Sequence, residues 1–79
     1  MISTVTDLMA ESLFASDLQP SEQPDTAAIN AAISATLLRH GVEGCAAVVA
    51  AEYGDHPETA VARMRWCRER AGDAVAVAA

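Results

Sequence analysis

The sequence predicts an all-α protein, a small three- to four-helix bundle with short Gly-capped turns. Three observations carry that prediction. Ile29, Ile33, Thr36 and Leu37 recur at helical spacing, and so do Ala60, Met64, Cys67 and Ala71; each set defines one buried helical face. Acceptor side chains stand where these stretches begin: Asp25 or Thr26 before the first, and Asp55 with Glu58 three residues on before the second, a capping-box pattern. Glycines stand where helical stretches end, at Gly41, Gly54 and Gly72.

Taken in order, residues 3 to 15 form a first helix, capped by Thr4 or Thr6. Val5, Leu8, Met9, Ser12 and Leu13 fall near one face, and Phe14 departs from it. The segment is short and rich in Ser and Thr, so it needs tertiary contacts to hold. Ser16 to Pro24 is a loop, because Pro20 and Pro24 bias the residues before them away from helix; Leu18 is its apolar anchor. The second helix runs from Asp25 or Thr26 to His40, with Ala28, Ala32 and Leu38 widening its stripe. Arg39 and His40 suit the carbonyl end, and Gly41 stops it. The third helix covers Glu43 to Tyr53. Its run Cys45 to Ala51 is apolar all round, which predicts the central, buried element. The fourth starts with Pro57 in its first turn and stops at Gly72. Residues 73–79 lack a cap and bulk and are expected to be a disordered tail, which leaves 1–72 as a single helical domain.

Composition narrows the function. A 79-residue chain is one domain near the lower limit of independent stability, burying only about 60% of its unfolded surface. Its apolar residues are mostly alanine, with one Phe, one Tyr and one Trp, so a second copy of the chain or a protein partner is expected to complete the core. The net charge of −6 disfavours nucleic acid and anionic membrane. There is no lysine, the first arginine is Arg39, and no basic start precedes an apolar core as in a secretory signal. The longest apolar run falls well short of the roughly 18 residues of a membrane span. A cytoplasmic location follows as the expectation.

Nothing in the pattern points to an enzyme. No nucleophile–base–orienter set is present; Cys45, near a helix start, has no base beside it. His40, Cys45, His56 and Cys67 do not share a metal-ligand spacing, and there is no glycine-rich phosphate loop. Cys45 and Cys67 read as small buried hydrophobes. No cofactor, metal or small-molecule substrate is expected.

The surface singled out is on the last helix. Arg63, Trp66 and Arg70 share a strip beside its apolar face. In one reading Trp66 covers the edge of the core with the arginine stems packed around it. In the other the three residues, with Phe14 from the first helix, form a contact patch of the residue types that dominate interfaces. The leading expectation is a helical protein-interaction module, self-associating or bound to another protein. The alternative is a helix-turn-helix DNA-binding regulator, suggested by the spacing of Ala50, Gly54 and Ala60, with the 57–71 helix reading DNA through Arg63, Arg65, Arg68 and Arg70. Its first turns hold His56, Glu58 and Thr59, which are poor at contacting bases.

Several segments also carry a likeness: Leu13-Phe14-Ala15-Ser16, Leu18-Gln19-Pro20-Ser21, Gly44-Cys45-Ala46, Glu52-Tyr53-Gly54-Asp55-His56-Pro57-Glu58 and Arg63-Met64-Arg65-Trp66. Across about residues 13 to 66 the chain resembles a group of short, uncharacterised, alanine-rich helical proteins of high-GC actinobacteria. The resemblance implies a recurring helical unit and carries no activity and no site.

Overall fold

The helical periodicities become three helices. A computed structural model describes the chain from Thr4 to Ala78, with side chains from Val5 to Ala74. The helices are α1 (Thr4–Ala15), α2 (Thr26–Asp55) and α3 (Pro57–Ala78), with a single 3-10 turn, Pro20–Glu22, between the first two. No strand occurs among the described residues. Each helix packs against the other two, giving a three-helix bundle.

In α1 the buried residues are Ala10, Ser12, Leu13 and Phe14, with Met9 partly covered. Val5, placed by spacing on the inner face, is 59% exposed, and Phe14, which left that face, is core. The reason is that α1 touches both other helices and so buries a wider, rotated face. Ser12 is tolerated inside because its hydroxyl donates to Leu8 O at 2.7 Å.

The start of α2 follows the sequence: the Asp25 carboxylate accepts from the Ala28 amide at 2.8 Å. Ile29, Ile33 and Thr36 are buried and Leu37 packs against the core. At Gly41 the backbone turns to φ 69° and ψ 172°, and the helix kinks. That positive φ is open to glycine at little cost. The kink also folds His40 towards Gly44, where an added Cβ would stand 3.0 Å from His40 Cβ.

Two expectations about α2 fail. Leu38, assigned to the inner stripe, is 90% exposed, because nine residues past buried Ile29, at about 100° each, it falls on the opposite side of the helix. The stretch 43–53 is not the buried centre of the bundle. Cys45 is fully covered and Gly44, Val48, Val49 and Glu52 are half-buried, whereas Ala46, Ala47, Ala50 and Ala51 are exposed. An apolar run without periodicity does not say which side faces inward; here the bulkier Val48, Val49 and Cys45 take the core, and alanine methyls, with little area to hide, are left outside.

Between α2 and α3 lies a single residue, His56. Its amide donates to Glu52 O at 2.7 Å and its carbonyl accepts from Ala60 N at 2.9 Å. Asp55 is therefore the last residue of α2 and not the cap of α3, and the expected Asp55–Glu58 capping box does not form. Along α3 the predicted face holds: Ala60, Met64, Cys67 and Ala71 are buried. The stop at Gly72 does not. The helix continues to Ala78, and Ala74, three residues past Ala71, joins the buried face at 4% exposure. No proline follows Gly72, and a mid-helix glycine costs only about 1 kcal/mol. The tail expected from residue 73 is thus helical backbone as far as 78; Ala79 lies outside the described residues.

Candidate functional site

The last carbonyls of any helix lack intrahelical partners. α1 ends without a glycine or a basic residue in its final turn. Its end is closed from a distance by Arg63, in the middle of α3. Nε donates to Phe14 O at 3.0 Å, and Nη2 donates to Ser16 O at 3.0 Å, Leu18 O at 3.0 Å and Leu13 O at 3.3 Å. Nη2 carries two N–H groups for three acceptors, so one proton is shared. The guanidinium carbon lies 5.6 Å from the Phe14 ring centre and 5.8 Å from that of Trp66, within cation–π range of both. A fixed positive charge thus sits at the negative end of the α1 dipole.

Arg70, two turns further on, donates through Nη2 to Pro24 O at 3.1 Å and pairs with Asp73 at 3.5 Å. Trp66 is half-buried against the core between the two arginines and, with Pro20, Pro24 and Arg70, lines a shallow hollow. Phe14 is 4% exposed and stacks on Tyr53, with ring centres 6.3 Å apart and planes 16° apart. Of the four residues singled out in the sequence, Arg63, Trp66 and Phe14 come together and Arg70 extends the row. Phe14 is core and offers no surface anchor. The arginine N–H groups point at the chain's own carbonyls. The row works as a strap that holds the 16–24 loop and the end of α1 onto α3.

The remaining arginines of α3 divide similarly. Arg68 pairs with Asp7 at 3.5 Å across an exposed contact with α1. Arg65 is exposed and has no partner among the described residues. A second shallow groove, of about 350 Å³, lies between the ends of α1, α2 and the start of α3, lined by Phe14, Asp17, Val48, Glu52, Thr59 and Arg63.

The histidines and cysteines are apart in character: His40 and His56 are exposed, and Cys45 and Cys67 are free thiols in the interior. Among the described residues no three His, Cys, Asp or Glu side chains gather as a metal site would need. Burial pushes the Cys67 thiol up to about 11, against a smaller opposing pull from the Arg63 charge. It is protonated at neutral pH and a poor nucleophile.

Sequence reasoning missed one surface. The outward side of α2 beyond the kink carries Val42 at 55% and Tyr53 at 37% exposure, with Ala46, Ala47, Ala50 and Ala51 exposed between them. No charged residue occurs between Glu43 and Glu52. The signal is present in the apolar-all-round run, which predicts a central element buried on most sides and marks no open face. No helix among the described residues is long and apolar enough to cross a membrane. No protein-family model matches the chain, and no similar protein was found among curated proteins or solved structures.

Proposed function

We propose that the protein is a small helical protein-interaction module that docks through the outward face of α2 between Gly41 and Asp55. The observation that carries this is the exposed run of Val42, Ala46, Ala47, Ala50, Ala51 and Tyr53, in which Glu43 is the one exposed charged residue. Contiguous apolar surface rimmed by charge marks contact sites on soluble proteins, and depletion of charge marks the centre of an interface. The docking surface in this reading is not the Arg63–Trp66–Arg70 strip, whose polar groups already serve the fold. Gly41 acts as the cap between two helical segments of α2, so the bundle works as four segments. The buried free thiols fit a reducing, cytoplasmic setting. Reading DNA with α3 is disfavoured, since three of its four arginines already have partners in the chain.

Photo-crosslinking in the producing cell tests the reading. A photoreactive residue replacing Ala47 is expected to give protein adducts, and the same residue replacing exposed Glu69 is not. Absence of adducts at Ala47 overturns the proposal.

A further inference from the structure

We infer that the groove between the ends of α1 and α2 and the start of α3 binds a free α-amino acid with an apolar side chain; the inference is independent of the docking face on α2. At about 350 Å³ the groove stands near the lower end of the roughly 300–1,000 Å³ of small-molecule sites, which suits a compact ligand. Three charged side chains line it from three parts of the chain: Arg63 on α3, Glu52 on α2 and Asp17 in the loop after α1. No spacing in the sequence announces them together.

Arg63 is within ion-pair distance of neither acid, and neither acid has an ion pair elsewhere among the described residues. The carbonyls that Arg63 serves are neutral dipoles and leave its formal charge without a counter-ion. Its Nη1 carries two further N–H groups, which have no acceptor among the described residues. A cation and two carboxylates therefore line one cavity without closing on each other. A ligand bearing both signs answers that arrangement: its carboxylate accepts from Nη1, and its ammonium donates to Glu52 and Asp17. An anion alone would meet two carboxylates, and a cation alone would meet Arg63. The Thr59 hydroxyl, one helical turn before Arg63 and on the same wall, can serve either end of the ligand. Phe14 and Val48 supply the apolar contact, which selects an apolar side chain.

The test is an amide nitrogen–proton NMR titration of the full chain at neutral pH. Its probes are L-leucine, leucinamide, which lacks the carboxylate, and isocaproate, which lacks the ammonium. Leucine is expected to shift the Asp17 and Thr59 signals saturably, while that of Ala47, on the outward face of α2, stays in place. Each analogue should bind at least about tenfold more weakly, since one set of charged hydrogen bonds is lost. The double variant D17N/E52Q, shown by far-UV circular dichroism to be folded, should lose the advantage of leucine over isocaproate. An absence of saturable shifts at Asp17 and Thr59 overturns the site. So does an analogue that binds as tightly as leucine, or a preference for leucine over isocaproate that survives in D17N/E52Q.

Discussion

The two halves of α2 are both rich in alanine and differ in what they bury. Before Gly41, Ile29, Ile33 and Thr36 are inside, at spacings of four and three. After it, Cys45 alone is fully covered, although the run around it has an unbroken apolar composition. Burial therefore follows bulk placed at a helical period, and apolar content by itself does not select a face. The first half is bound into the core by its own side chains. The second is held at its inner edge and leaves its outer side open.

The largest expected effect that would break this comparison comes from the core. Ile33→Ala should cost about 2–4 kcal/mol in urea unfolding, whereas Ala47→Ser in the second half should shift stability by less than about 0.5 kcal/mol. Equal costs would mean that the two halves are alike after all. Next is the strap from α3. Arg63→Ala should cost about 2–3 kcal/mol, since charged hydrogen bonds to helix-end carbonyls are lost together. Arg63→Lys should recover little of it, because an ammonium lacks the planar fork that reaches Phe14, Ser16 and Leu18 together. Amide exchange in α1 should rise in both variants, and protection that survived in either would show that α1 is held by its apolar face alone.

Cys67 sharpens the contrast between a buried thiol and an exposed alanine surface. Its pKa is raised from 9.0 to about 11 in the fold, so the folded state favours the neutral thiol. The associated stability is fully present below about pH 9 and is lost as pH rises through about pH 11; it is on the order of 2 kcal/mol. Denaturation midpoints should fall over that alkaline window, and Cys67→Ala, lower at the outset, should show a flatter limb. Two glycines come last. Gly41→Ala should destabilise by about 1–3 kcal/mol, because the space is open but φ 69° with ψ 172° is a region essentially confined to glycine. Gly72→Ala, in an ordinary helical turn with open space around it, should stabilise by up to about 1 kcal/mol by thermal melting.

What was legible in the sequence was whatever rests on local rules with bulk behind them. The Ala60–Met64–Cys67–Ala71 and Ile29–Ile33–Thr36 faces, the Asp25 cap and the anchoring of Leu18 all follow from spacing or from one side chain. The misses have a common cause: two local signals of similar strength competed, and tertiary contact decided. Asp55 could cap α3 or end α2, and the single-residue link at His56 left only the second. Gly72 could stop a helix or sit inside one, and the burial of Ala74 tipped it. The Arg63–Trp66–Arg70 strip was visible as a strip. So was Trp66 at the core edge; the carbonyls that Arg63 serves were not, because they lie 45 to 50 residues away in the chain.

That separation has a consequence for synthesis. The guanidinium that secures α1 is translated 45 to 50 residues after the carbonyls it serves. Until it emerges from the ribosome, the first helix has nothing to seal its open end. The end of α1 is therefore expected to be sealed only once Arg63 has been made, whatever else of the fold is already in place.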